Sequence, residues 1–159
     1  MELLKDAVID STGKYRYSLV RHWDSQKPKA LFIMLNPSTA DADIDDPTIR
    51  RCIGFAKSWG CGALEVVNLF AYRATNPDEL RMCDDPIGRE NDMHIRRAAL
   101  RADKIILAWG TKGGLLGRNG KVMELLQSFA WVYCLDRSKD GHPKHPLYIP
   151  ANCELKLFK

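Results

Sequence analysis

The chain has 159 residues, with 24 Lys and Arg against 20 Asp and Glu, a net charge of +4 at pH 7. That length is one domain's worth, and a hydrophobic fraction of 45% beside 28% charged residues is ordinary for a soluble globular protein. No apolar run approaches the roughly 20 residues that span a bilayer, and the N-terminus lacks the basic start and long apolar stretch of a signal peptide, so a cytoplasmic protein with no membrane partner is expected. The charge permits an anionic partner without demanding one. Cys52, Cys61, Cys83, Cys134 and Cys153 are scattered, odd in number and free of C-x-x-C spacing, which excludes a disulfide framework and a zinc site and leaves most of them as small buried hydrophobes.

In chain order, Tyr15 to Trp23 alternates and is rich in aromatic and β-branched residues, predicting a half-exposed strand at a sheet edge. Leu31 to Leu35 is an uninterrupted apolar run that predicts a buried strand. It stops at Asn36-Pro37-Ser38, because Pro37 offers no N–H and biases Asn36 away from the α region. An acidic loop follows. Asp46 then serves as N-cap and Pro47 as first residue of a helix with the stripe Ile49, Cys52, Ile53 and Ala56, ended by Gly60 and Gly62. Leu64 to Phe70 predicts the second buried strand, Gly88 to Arg101 a helix with Ile95, Ala98 and Ala99 facing in, and Lys104 to Trp109 the third strand. Flexible chain from Gly113 to Gly120 leads to a helix over about 121–129. Trp131 to Leu135 is the fourth strand, and Glu154 to Phe158 a short edge strand. Buried strands separated by helices predict an α/β fold with a parallel central sheet covered on both faces.

Three familiar chemistries fail on spacing. Asp41, Asp43 and Asp45 match the start of a calcium loop, but Asp46 stands where Gly is needed and Cys52 where Glu is needed. Gly120-Lys121 is followed by Val122, and Leu115 stands five residues before Gly120, so no P-loop forms. There is no G-x-S-x-G nucleophile elbow. Cys61 between two glycines has no base placed beside it.

The ends of the buried runs carry the polar groups. Asn36, Ser38 and Thr39 follow the first, Asn68 and Arg73 end the second, and His145-Pro146-Leu147-Tyr148 lie in the last long loop. In an open α/β sheet, ligands bind outside the carboxyl ends of strands, so these groups could share one edge. Asn68 stands out, because an amide within VVNLF must satisfy up to four hydrogen bonds in a dry place. It fits two roles equally, bracing a neighbouring loop or reading a ligand such as the edge of a nucleobase.

At these residues the chain resembles a bacterial and phage family known as a domain of unknown function. The resemblance rests on Leu35-Asn36-Pro37-Ser38-Thr39-Ala40-Asp41, Asp46-Pro47-Thr48, Val67 to Arg73, Ala108-Trp109-Gly110 and His145-Pro146-Leu147-Tyr148. More distantly it is similar to the uracil-DNA glycosylase superfamily. Met34-Leu35-Asn36-Pro37-Ser38 looks like the motif whose Asn positions the attacking water, with Ser38 in place of Gly. Asn68 looks like the Asn that reads the flipped base, with Arg73 and Asn76-Pro77 following. Ile106 to Gly110 is similar to the apolar strand ending in Gly. His145-Pro146-Leu147-Tyr148 is similar to the loop whose His supports the base, with Leu147 in place of Ser.

That resemblance implies one glycosylase-like domain over residues 1–159, a three-layer sandwich around a mainly parallel four-stranded sheet of order 2-1-3-4, with short edge strands. It implies catalytic roles for Asn36 and His145, ligand contacts from Pro37, Ser38, Asn68, Arg73, Pro146 and Tyr148, and no metal or cofactor. The expected partner is a nucleobase, a nucleotide or a modified base in nucleic acid, with hydrolysis of its N-glycosidic bond as the chemistry. An alternative from another class is a non-catalytic module binding a nucleotide or a protein at the same strand ends. A hydrolase using the Asp41 to Asp46 loop and a divalent metal is a third.

Overall fold

The structure, a computed structural model, describes residues 3–159. Seven strands make one mixed sheet in the order β1-β2-β4-β3-β5-β6-β7: β1 (Leu4–Ile9), β2 (Arg16–His22), β3 (Lys29–Met34), β4 (Ala63–Asn68), β5 (Lys104–Leu107), β6 (Tyr133–Cys134) and β7 (Lys156–Leu157). The three main helices are α1 (Pro47–Ser58), α2 (Asn91–Arg101) and α3 (Arg118–Leu125). β4, β3, β5 and β6 run parallel, so the four strands read as buried runs lie 2-1-3-4 in chain order; β1, β2 and β7 join antiparallel. No helix among the described residues is long and apolar enough to cross a membrane.

Alternation along β3 builds the two sides of the core. Ala30, Phe32 and Met34 pack with Ile49, Cys52, Phe55 and Ala56 of α1, while Leu31 and Ile33 pack with Ile95, Ala98 and Ala99 of α2 and Val122 of α3. Both faces of β3 and β4 are therefore covered, which is why β3 runs apolar from Ala30 to Met34 and β4 departs from apolar only at Glu65 and Asn68, both buried. Asp46 caps α1 by accepting the Ile49 N–H at 2.9 Å, as its position before Pro47 predicts.

Several expectations change. The sheet has seven mixed strands where the expected one had four with short edges. β2 lies inside it, paired on one side with β1 and on the other with β4. β1 carries too weak a signal to read, because an exposed outermost strand alternates only between exposed and half-buried residues. Helix α2 begins at Asn91 instead of 88. Helix α3 begins at Arg118 instead of Lys121 and ends at Leu125, since Gly117 in the left-handed region (φ 65°) turns the chain directly into it. The fourth buried run forms only a two-residue strand, paired for two positions with β5.

Candidate functional site

The carboxyl ends of β3, β4 and β5 are level, with Met34 opposite Asn68 and Ile33 opposite Leu107. From these ends the chain turns to α1 on one face after β3 and to α3 on the other after β5, leaving a crevice between them. A cavity of about 470 Å³ opens there, and its lining includes Asn36, Pro37, Ser38, Asn68, His145 and Tyr148. Six of the eight residues picked out from the sequence thus meet around one space. Its volume lies within the range of about 300–1,000 Å³ typical of small-ligand pockets.

Asn36 is fixed by its own amide. Nδ2 donates to the Ala74 carbonyl at 2.8 Å and to the Pro37 carbonyl at 3.1 Å, and the Ala74 N–H returns a bond to the Pro37 carbonyl at 2.9 Å. This clamp ties the chain leaving β3 to the chain beyond β4. Both donors are engaged, so Oδ1 is the end left to accept from a water or a ligand.

Asn68 differs. It is 1% exposed, lines the cavity, and neither its Oδ1 nor its Nδ2 has a hydrogen-bond partner among the described residues. Such an amide costs about 1–3 kcal/mol relative to a satisfied one. Its backbone is firmly held: Asn91 Nδ2 donates to the Asn68 and Leu69 carbonyls at 2.9 and 3.0 Å, and Arg118 Nε donates to the Leu69 carbonyl at 2.9 Å. The strand end is braced by other residues, so the Asn68 side chain does not brace it.

His145 caps the 3-10 turn Pro146–Tyr148, its Nδ1 accepting the Leu147 N–H at 3.2 Å. Burial holds its pKa below the ordinary value of 6.5, partly offset by the Asp46 carboxylate. A neutral imidazole whose Nδ1 accepts carries its proton on Nε2, so His145 offers one N–H donor. Gly110, in the left-handed region at φ 80°, ends the chain beyond β5 and donates its N–H to the Pro143 carbonyl at 2.8 Å, which pins the loop carrying His145. At the turn's tip Leu147 and Tyr148 are 49% and 80% exposed.

Two residues do not reach the cavity. Arg73 reaches back to the carbonyls of Gly13, Ser38 and Thr39, at 3.2 to 3.4 Å, and holds the loops around the site. Pro146 is buried as the first residue of the turn. The acidic loop is structural: Asp41 Oδ1 accepts the N–H groups of Asp43 and Ile44, Asp45 pairs with Arg21 at 2.8 Å, and Asp46 caps α1. Among the described residues no group of three or more His, Cys, Asp or Glu is gathered to hold a metal ion. Cys61 is buried and its thiol pKa is pushed up by burial, slightly relieved by Lys104, so it is a core residue and no nucleophile.

The lining also contains residues that the sequence reading assigned only to the scaffold: Arg16 from β2, Asp46 from the cap of α1, and Trp109 beyond β5. Trp109 and Asp46 lie within the motifs Ala108-Trp109-Gly110 and Asp46-Pro47-Thr48, and that membership was the available signal. Arg16 had none, because its placement depends on an irregularity in β2 that composition does not reveal.

No curated protein and no solved structure gives a match to this chain. The family described as "Protein of unknown function (DUF1643)" matches residues 16–147, and the chain belongs to that family.

Proposed function

We propose that the cavity binds a nucleobase, presented by a nucleotide or by a modified or extruded base of DNA, and that it hydrolyses the N-glycosidic bond. The observation that carries this reading is the Asn68 amide, buried in the cavity lining with donor and acceptor both unpaired. A planar amide offers paired hydrogen bonds to a base edge, and a base that lacks the matching groups leaves the amide unsatisfied.

The remaining roles follow from the same lining. Asn36 Oδ1 orients a water whose oxygen attacks the anomeric carbon. The carbon–nitrogen bond breaks, its electron pair leaves with the base, and the water's proton passes to solvent or to the departing base. His145 donates from Nε2 to a base oxygen on which charge accumulates, an electrostatic stabilisation of the leaving group. For a base in duplex DNA, extrusion costs a few kcal/mol, and Leu147 and Tyr148 form the wedge. The clamp on both Asn36 donors favours a second reading, a non-catalytic module in which Asn36 is structural and the same pocket only binds.

Release of free base from mononucleotides and from oligonucleotides containing uracil, hypoxanthine or modified pyrimidines, followed by chromatography, tests the reading. Base release by wild type that falls about 100-fold or more in Asn36→Ala supports hydrolysis. Binding without release supports the module, and the absence of both overturns the nucleobase reading.

A further inference from the structure

Among the described residues three buried charged side chains are arginines, Arg16, Arg21 and Arg118, and they are treated differently. Arg21 is saturated: Nε pairs with Asp45 at 2.8 Å, Nη1 donates to the Val20 carbonyl at 2.9 Å, and Nη2 to the Asp41 carbonyl at 2.7 Å. Arg118 pairs with Asp92 at 2.8 Å. Arg16 is 2% exposed and donates from Nη1 to the Ala40 carbonyl at 3.0 Å, while its buried Nε has no partner. Among the described residues no carboxylate lies within 4.0 Å of it. Asp46 is the carboxylate that acts on it from further away, and the two Asp46 oxygens already accept the N–H groups of Ile49 and Ala40. Burying a charge without a paired counter-charge is costly. Burial brings the Arg16 pKa down to about 10, so the guanidinium is still charged at neutral pH.

A bulge in β2 aims this charge. Val8 stands opposite Ser18 but Ile9 stands opposite Arg16, so Tyr17 is an extra residue. Tyr17 stacks on His94 of α2, and Ser18 Oγ bonds Glu65 at 2.9 Å on that same side of the sheet. Strict alternation would put Arg16 on the side of Ser18. The extra residue turns it to the α1 side, where it lines the cavity that also holds Asn68. Bulges beside sites commonly re-aim a side chain in this way.

We propose that Arg16 forms an anion subsite within the cavity, and that the ligand is a free nucleoside monophosphate whose terminal phosphate meets Arg16 while its base meets Asn68. The base half of this statement rests on the reading above; the anion half rests on Arg16 alone. A terminal phosphate dianion supplies the missing counter-charge and accepts from a guanidinium edge. A phosphodiester within a duplex cannot bring its charge to a side chain this deeply buried without carrying two further chain segments in with it. Lys112, exposed at the cavity lining and 3.5 Å from the exposed Asp78 carboxylate, adds a second positive charge at the rim.

Calorimetric titration of the full chain with nucleosides, the matching 5′-monophosphates, inorganic phosphate and a 5′-phosphorylated oligonucleotide tests it. A monophosphate binding about tenfold or more tighter than its nucleoside is expected, with the difference erased in Arg16→Gln and partly retained in Arg16→Lys. Melting curves establish that each variant is folded, and the wild-type comparison of nucleoside with monophosphate needs no variant. Equal affinity for nucleoside and monophosphate overturns the anion subsite and leaves the base reading standing. Arg16-dependent binding of inorganic phosphate, with no nucleoside binding, supports the subsite and overturns the base reading. Tighter binding of the oligonucleotide than of the mononucleotide overturns the free ligand, and no binding of any probe overturns both halves.

Discussion

Glu65 and Asn68 sit three residues apart on β4, both buried and polar, on opposite faces of the sheet. Glu65, 0% exposed, accepts from Ser18 Oγ at 2.9 Å and Arg101 Nη2 at 2.7 Å, and Lys29 Nζ lies 2.7 Å from its other oxygen. Asn68 has no such partners. The same contrast holds between Arg21 and Arg16 on β2. On the α2 face Glu65 is held by Ser18, Arg101 and Lys29, and at the acidic loop Arg21 is held by Asp45 and the Asp41 carbonyl, so these two groups tie the sheet to its coverings. At the carboxyl ends of the strands Asn68 and Arg16 are left open toward a cavity. A polar group that is buried and satisfied acts as scaffold; one that is buried, unsatisfied and beside a cavity is open to a partner from outside, as proposed for Asn68 and Arg16.

The largest expected effect is on the closed side. Glu65→Ala should cost about 3 kcal/mol of folding stability, because it strips two cations and a hydroxyl of their shared acceptor. Burial alone would raise the Glu65 pKa, but the bonds from Arg101, Lys29 and Ser18 outweigh it and hold the value below the ordinary 4.5. A depressed carboxylate stabilises the fold above its unfolded pKa and loses that contribution as pH falls through the folded value. The gap between wild type and Glu65→Ala in urea melts should therefore be full above about pH 5 and narrow below it.

Replacing Asn68 with Leu should do the opposite. Removing the unpaired amide should raise stability by about 1–2 kcal/mol, or a melting temperature higher by roughly 3–6 °C, while nucleobase binding is lost. A drop in melting temperature similar to that of Glu65→Ala would erase the distinction between the two residues.

A third effect is set by pH. His145 is neutral at pH 7, with its folded pKa held below 6.5 chiefly by burial. Protonation places a hydrogen on Nδ1, which then cannot accept the Leu147 N–H. The contribution of this bond is present above the unfolded pKa and lost as pH falls through the folded one. Ligand affinity measured from pH 8 to 5 should be flat and then fall on the acid side, and the fall should vanish in His145→Asn. The smallest effect belongs to Arg73. Its long bonds to three loop carbonyls, two of them at 3.4 Å, make Arg73→Ala worth less than about 1 kcal/mol by thermal melting, with affinity lowered only through loop order.

The apolar runs of β3, β4 and β5 were legible because strands covered on both faces are mostly apolar, β4 departing only at Glu65 and Asn68, and their order of occurrence brought Asn36, Asn68 and His145 to one edge. The capped start of α1 was legible from Asp46-Pro47. The outermost β1 was not, since an exposed strand needs no apolar pattern. Nor was the two-residue extent of β6, where Trp131 is exposed although it belongs to an apolar run. Arg16 shows why part of the site was hidden. Its side of the sheet is fixed by one extra residue in β2 relative to β1, a property of two strands together and of neither alone. Arg73 shows the converse, a residue chosen for its place in a motif that the fold uses for holding loops.

The central claim is that the Asn68 amide reads a base. Affinity of wild type and Asn68→Asp for a panel of nucleobase-bearing ligands, measured beside their melting curves, tests it most directly. Asp keeps the shape and the acceptor but loses the amide donor. The account predicts a folded variant in which the order of preference among bases changes, with the wild type's best ligand weakened about tenfold or more. An unchanged order of preference, or loss of affinity only in proportion to loss of folded protein, would contradict it.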